Sequence, residues 1–352
     1  MRSDAGRCAH APRARATRTR HAHAPRARAT RTRRARFACV ARASGAHSAF
    51  GGGPASRRTS IDSTGATMTR HSRHAAQREA QRMMKASREL NRSAILLALS
   101  VLADSGVEHY RGSFRNRAML APLAASALSL AAAAHGHADG APRRHPARDA
   151  VHLGAAAVAV AGVGFHVYNV LKRPGHLSWH NLFYGAPLGA PVALLLSGLL
   201  GAAGERLRAC PEQAPRLCGL PAGRALAALV AAGLAGTVGE VALLHFRGAF
   251  HHRAMVAPLV VPPVAALLVA HAALAPARPN RWFSRAWLKA TAALGIAGVG
   301  FHAYGVARQM GGWRNWAQNL LAGPPLPAPP GFSALALAGL SAVSLAEREA
   351  GA

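Results

Sequence analysis

The sequence predicts an all-α integral membrane protein, a polytopic bundle of about eight transmembrane helices built as two parallel repeats of four helices. Long runs of Ala, Leu, Val and Gly fill the chain after residue 93, and 51% of its 352 residues are hydrophobic against 16% charged. The runs are too long for barrel strands and lack their alternation, and several peptide blocks recur at a fixed offset. A soluble bundle needs polar helix faces, which eight such runs do not supply. The expected partner is therefore a lipid bilayer.

Length defines each predicted span, because about 20 mostly apolar residues are needed to cross a hydrocarbon core about 30 Å thick. The eight runs that qualify are Ala94–Tyr110, Ala118–His135, Val151–Leu171, Ala186–Gly204, Ala225–Phe246, Ala254–Ala275, Ala286–Val306 and Pro330–Ala346. The two repeats then occupy residues 94–204 and 225–347, and a connecting loop covers residues 205–224.

The N-terminal residues 1–93 are predicted to form a disordered basic tail. The twelve letters AHAPRARATRTR at residues 9–20 recur at 22–33, and such low-complexity sequence cannot bury enough apolar surface to fold. The formal net charge of +30 leaves two interpretations open. The tail is either a basic arm for nucleic acid or lipid headgroups, or an extension without a role, with residues 1–67 outside the native protein. The composition matches GC-rich codons, so no specific nucleic-acid binding is expected.

The internal repeat is visible in three peptide blocks. HYRGSFRNRAMLAP at His109–Pro122 matches HFRGAFHHRAMVAP at His245–Pro258, an offset of 136 residues. AGVGFHVY from Ala161 matches AGVGFHAY from Ala297 at the same offset, and NLFYGAPLGAP from Asn181 matches NLLAGPPLPAP from Asn319 at 138. Two separated blocks at one offset indicate a duplication.

The orientation of the spans follows from their number and from the basic residues at their ends. Four spans in each half return the chain to the same side, so the two repeats should be parallel. Fifteen Lys and Arg residues lie near span ends on the N-terminal side, against nine on the opposite side. Because basic residues favour the cytoplasmic side, both termini are expected in the cytoplasm, with the protein in a bacterial inner membrane.

The candidate polar site consists of duplicated residues near the ends of the first and third spans of each half. An acid inside a span costs about 2.5–3.5 kcal/mol on insertion scales, so Asp104 and Glu240 should face a partner or a wet cavity. Arg111 and Arg247 are placed to reach back to these acids. The full candidate set is Asp104, His109, Arg111, His166, Glu240, His245, Arg247 and His302.

A structural interpretation of the same block competes with this one and requires fewer assumptions. In it Gly112 and Gly248 end a helix, Phe114 lies at the membrane interface, and the arginines extend toward water. A lid over the polar site is a further alternative for the Trp179 and Trp316 segments, although Trp is also common at membrane interfaces.

Histidines on neighbouring helices also suggest axial haem or transition-metal ligation by His109, His166, His245 and His302. No H-x-x-x-H, E-x-x-H or C-x-x-C-H motif supports this, so no cofactor is predicted and the metal remains an alternative. Cys210 and Cys218 could pair across a loop, but two unremarkable thiols are the simpler interpretation.

No G-x-S-x-G, Walker or zincin motif is present, so no catalytic residue and no enzyme activity are predicted.

The block EHYRGSF-x-NRAM at Glu108–Met119, with GVGFHVYN at Gly162–Asn169, resembles an uncharacterised group of proteobacterial multi-pass membrane proteins. The resemblance covers residues 94–347 and implies membrane localisation without implying a reaction. Three functions therefore stay open: transport of a small solute or ion, haem- or metal-based electron transfer, and a structural or assembly role without a ligand.

Overall fold

The structure is a computed structural model that describes residues 62–208, 215–275 and 281–349, with side chains described from residue 73. Within these ranges the regular secondary structure is helical apart from one short antiparallel hairpin, β1 (Arg216–Leu217) with β2 (Leu220–Pro221), and turns and loops join the helices. The helices are α1 (Asp62–Arg111), α2 (Ala121–Ala138), α3 (Pro146–Leu171), α4 (Trp179–Tyr184), α5 (Gly189–Arg208), α6 (Ala222–Arg247), α7 (Ala257–Leu274), α8 (Trp282–Ala307), α9 (Trp316–Ala322) and α10 (Pro330–Glu349). The predicted all-α fold class is confirmed.

Eight helical segments of the described residues are long and apolar enough to cross a membrane, as the sequence predicted. They comprise the eight long helices, with α2 and α7 each extended at the start by a 3-10 turn. Large apolar side chains of the outer helices point away from the bundle, with Leu267 and Ile296 more than 70% exposed. Such faces are tolerated in lipid but not in water, so the chain is a multi-pass membrane protein.

Helix α1 begins well before the predicted first span. Met83, Leu90 and Leu97 are buried at intervals of seven residues, and Ser87 and Ala94 are buried between them on the same face. This spacing is typical of a helix packed along one side. The predicted tail boundary at residue 93 is therefore wrong, since the helix already packs against the bundle at Met83. Residues 1–61 of the predicted tail lie outside the described part of the chain.

Helices α5 and α10 form the centre of the bundle, and most of each is buried. Helix α1 packs against both of them, and α6 packs against α10 and, less extensively, α5. We call the contacts of α1 with α10 and of α6 with α5 the seam, because they join the first half (residues 62–208) to the second half (residues 222–349). Leu200, Leu234 and Leu335 contribute to the apolar core that extends across these helices.

Elements of the two halves have matching bounds. Helices α1 and α6 end at Arg111 and Arg247, and α3 and α8 begin at Pro146 and Trp282, all at the offset of 136 seen in the sequence. The central helices α5 and α10 are each 20 residues long and begin 141 residues apart. The predicted connecting loop is shorter than expected, because α5 continues to Arg208 and α6 starts at Ala222. Cys210 lies outside the described residues, so its pairing with Cys218 is not tested.

Candidate functional site

His109 and His245 occupy matching positions in the two halves, and each stabilises the turn that follows a long helix. We call these turns, residues 112–116 and 248–252, the corners. The Nδ1–H of His109 donates to the Met119 carbonyl at 2.6 Å, and His245 donates to the Met255 carbonyl at 2.7 Å. Each bond ties the end of a long helix to the 3-10 turn that follows it. The same ring lies edge-on to a phenylalanine at 6.3 Å in both corners. These contacts agree with the structural interpretation of the repeated block.

The backbone of each corner passes through left-handed geometry at residues other than glycine. Ser113 and Phe114 have φ values of 57° and 45°, and their counterparts Ala249 and Phe250 have 54° and 45°. Both halves have a glycine just before these residues, Gly112 and Gly248, and neither glycine has a positive φ. A Cβ on Gly112 would lie 3.1 Å from the Met119 methyl. The glycine directly follows the last residue of α1, as predicted, and its lack of a Cβ leaves room for the Met119 methyl.

His166 and His302, the other two candidate histidines, bind the loops that lead into the central helices α5 and α10. His166 donates from Nδ1 to the Pro187 carbonyl, and His302 donates to the Pro325 carbonyl at 2.7 Å. His166 lies within electrostatic range of His109, and His302 within range of His245. The four histidines thus form two pairs within electrostatic range, His109 with His166 and His245 with His302, and every Nδ1 binds a backbone carbonyl.

The two acids lie within electrostatic range of each other across the seam. Asp104 on α1 lies within electrostatic range of Glu108 and of Glu240 on α6. The Glu240 carboxylate accepts the backbone N–H of Gly189, the first residue of α5. It occupies the space that a Cβ on Gly189 would fill, so only glycine allows this approach. An acid from the second half therefore caps a central helix of the first half.

The equivalent bond is missing for Asp104 because the repeated loop differs. Pro327 stands in the NLLAGPPLPAP block where Gly189 stands in NLFYGAPLGAP, and proline has no backbone N–H to donate. At this place the Ser100 hydroxyl of α1, in the first half, donates to the carbonyl of Pro327, in the second half. The seam therefore contains one capped acid and, beside it, a second acid without that cap.

The predicted pairing of the arginines with these acids is wrong. Arg111 binds Glu108 at 2.7 Å, one helical turn away, rather than Asp104. Arg247 lies over the rings of Phe183 and Tyr184, 5.6 and 5.9 Å from their centroids. The second half has Leu244 in place of Glu108, so Arg247 has no acid one turn back and uses the aromatic face of α4.

The segments considered as a lid are held by buried asparagines. Asn181 donates its side-chain amide to the carbonyls of Pro174 and His176, at 2.9 and 3.0 Å. Asn319 donates in the same way to Met310 and Gly312, at 3.2 and 2.8 Å. These bonds shape the two loops, and the segments are the short helices α4 and α9.

A buried charge network that was not predicted lies at the other end of the first half. Arg148 donates to both oxygens of Glu205 at 3.0 Å and to Asp139 at 2.7 Å. Arg208, which is 1% exposed, donates to the carbonyls of Asp139 and Ala141 at the end of α2. The Ala141 N–H and the Arg148 guanidinium lower the pKa of Asp139 from its ordinary 3.8 to about 2.

Much of this network caps helices. The Glu205 carboxylate accepts the His145 backbone N–H at 2.9 Å just before α3, and Glu347 accepts the Arg281 backbone N–H at 2.7 Å just before α8. Helix ends in a membrane leave donors and acceptors that water cannot satisfy. The charges at this end of each half therefore have a structural purpose. Glu205 was missed because the predicted fourth span stopped at Gly204.

Among the described ranges 62–208, 215–275 and 281–349, no three His, Cys, Asp or Glu residues are grouped as metal ligands. No family model matches the chain, and no curated protein and no solved structure matches it. The resemblance to proteobacterial membrane proteins stays a prediction that rests on the two quoted blocks.

Proposed function

We propose that this membrane protein moves a small cation, a proton or a monovalent metal ion, and that Asp104 and Glu240 bind it at the seam. The observation that carries the proposal is that two carboxylates from different halves lie within electrostatic range of each other inside apolar helices. Two negative charges so placed repel each other, and a cation between them lowers that electrostatic cost. An acid in a span usually serves such a pathway.

The asymmetry of the two acids supports a site rather than a fixed contact. Glu240 is held by the Gly189 N–H, while Asp104 has Pro327 where that donor would be. One carboxylate is therefore positioned, and the other is available to bind. The two loops that approach the acids are themselves fixed by His166 and His302.

Flux through proteoliposomes tests the proposal. Purified protein is reconstituted with a pH-, Na⁺- or K⁺-sensitive dye inside, and imposed proton, Na⁺ and K⁺ gradients are followed for the wild type and for D104N/E240Q. The double variant should fall to the rate of protein-free liposomes for the transported ion. The matched control is E89Q, which neutralises an acid of α1 away from the seam and should retain the wild-type rate.

Two results would contradict the proposal. One is a double variant that conducts as well as the wild type while E89Q is also unchanged. The other is a wild type that moves none of the three cations, which would favour the structural or assembly role.

A second candidate, haem or metal binding, is favoured by one feature of the histidine pairs. Each Nδ1–H binds a carbonyl, and this leaves Nε2 as the ligand atom, the arrangement common in metal-binding histidines. Two such rings in each half would suit axial ligation of a haem. Absorbance and metal analysis of detergent-purified protein decide the matter, since a protein without a Soret band and without stoichiometric metal does not carry this function.

We also propose that the two halves are parallel repeats, that both termini face the cytoplasm and that the membrane is a bacterial inner membrane. The shared offset of the element bounds and the excess of basic residues on the N-terminal side support these statements.

A further inference from the structure

The interior of the first half contains a polar core, and the second half has apolar residues at two of its three positions. His152 is fully buried on α3, Ser129 is fully buried on α2 and Ser197 on α5. We call these three residues the polar core. At the offset of 136, the second half has Leu288 in place of His152 and Ala265 in place of Ser129, both fully buried in the apolar core.

The second half thus serves as an internal comparison for the first. Leu288 packs against Gly339, where a Cβ would lie 2.7 Å from it, just as the His152 ring packs against Gly201. The same arrangement of helices is therefore built with apolar side chains. A buried polar atom without a partner costs about 1–3 kcal/mol, so packing alone does not account for a histidine at this position.

The direction of the hydrogen bonds assigns the proton on the His152 ring. Ser197 donates to the Ala94 carbonyl at 3.0 Å, which can only accept. Ser197 must then accept from the Ser129 hydroxyl at 3.1 Å, and Ser129 accepts in turn from Nδ1–H of His152 at 3.4 Å. In the neutral ring this leaves Nε2 as the basic atom. Within the described part of the chain Nε2 is buried and has no hydrogen-bond partner.

Charged groups on α3 and α5 lie within electrostatic range of the His152 ring. Arg148 and Asp149 act on His152 from its own helix, and Glu205 acts from α5. Helix α2 presents the uncharged Ser129, and α1 contributes the Ala94 carbonyl through Ser197. One oxygen of Asp149 binds Arg144, which is partly exposed, while the other oxygen is buried without a partner among the described residues. Asp149 therefore links an exposed arginine to the helical turn that precedes the buried ring.

From this geometry we infer that His152 is a buried proton-binding site of the first half, reached from the side of Asp149. The chain of hydroxyls ends at a carbonyl that cannot pass a proton on, so the proton enters and leaves at Nε2. With the ring doubly protonated, Nδ1–H still donates to Ser129, and the new charge lies within electrostatic range of Asp149 and Glu205 as well as of the positive Arg148. The inference is independent of the proposed cation site at Asp104 and Glu240.

Nitrogen-15 NMR of the full chain in detergent, with labelled histidine, tests this inference. The difference between the wild type and H152L isolates the ring signals of His152, and leucine is the residue that the second half carries at this position. Between about pH 9 and about pH 4, the wild-type ring should change from the neutral form with its proton on Nδ1 to the doubly protonated form. The variant S129A introduces the alanine that the second half has at Ala265, and it should remove the preference for Nδ1–H without altering the helical content.

Two results would overturn the inference: a His152 ring that stays neutral throughout this range, and a neutral ring with its proton on Nε2 in the wild type. If H152L does not fold, H152Q replaces it in the difference spectrum. The D104N/E240Q variant should leave the His152 signals unchanged, which separates this site from the seam.

Discussion

At the residue scale, a single residue that differs between matching positions of the two halves changes which partner a side chain binds. Glu108 keeps Arg111 on its own helix, whereas Leu244 releases Arg247 to the rings of α4. Gly189 offers a backbone N–H to Glu240, and Pro327 offers none. Equivalent backbones thus carry different chemistry because one side chain or one amide hydrogen differs.

The stability of the protein at low pH should depend on the ionisation of the Asp139 carboxylate. Its pKa is lowered to about 2 in the folded protein from an ordinary 3.8, so its stabilising effect is complete above pH 3.8 and is lost as the pH falls toward 2. D139N lacks the ion pair with Arg148 and should be less stable than the wild type at neutral pH by about 1 kcal/mol. Thermal unfolding in detergent at a series of pH values measures this.

The difference between D139N and the wild type should shrink between pH 3.8 and 2, while E89Q, the control, shows no such convergence. A constant difference across this interval would mean that Asp139 does not contribute through its charge.

At the scale of elements, helix ends and close helix contacts determine how the bundle is held. Carboxylates cap helix N-termini at several places, as Glu205 does for α3, Glu347 for α8 and Glu240 for α5. In lipid these bonds replace the water that would satisfy the same groups in a soluble protein. Small residues then allow the capped helices to approach one another closely.

The contact between α6 and α10 gives a direct test of this packing. A Cβ on Gly223 of α6 would lie 2.7 Å from the Ala346 Cα, and backbone atoms cannot move aside as a side-chain end can. We expect G223A to lower the free energy of unfolding by about 1–3 kcal/mol. The matched control is G236A on the same helix, where a Cβ would meet nothing within 4 Å.

Unfolding in mixed detergent micelles compares the two variants. G236A should match or slightly exceed the wild type, because alanine is the better helix former. Equal losses in both variants would show that the helix contact at Gly223 is not tight.

At the scale of the whole molecule, the sequence predicted the number, type and approximate bounds of the spans, because apolar length is a direct requirement of lipid. It failed where two acids compete for one arginine and where a buried helix face is mixed with polar residues. The pairing of Arg111 was misjudged because an acid one turn away competes with the one expected. The start of α1 was missed because polar residues between Met83 and Leu90 hide a buried stripe.

The polar core escaped prediction for a related reason. His152 and Ser129 stand inside apolar runs, and a window average conceals a single polar residue. Comparing the two halves position by position reveals both, since Leu288 and Ala265 occupy the matching places. The direction of their hydrogen bonds required the coordinates of four helices.

Labelling of single cysteines in sealed vesicles tests the central claim, that this chain crosses a bilayer eight times as two parallel halves. With Cys8, Cys39, Cys210 and Cys218 changed to serine, a cysteine is placed at the exposed positions Arg115, His251 or Arg216. An impermeant maleimide outside the vesicles should label R115C and H251C from one side of the membrane and R216C only from the other. Opposite sidedness of R115C and H251C, or labelling of all three from both sides, would contradict the account.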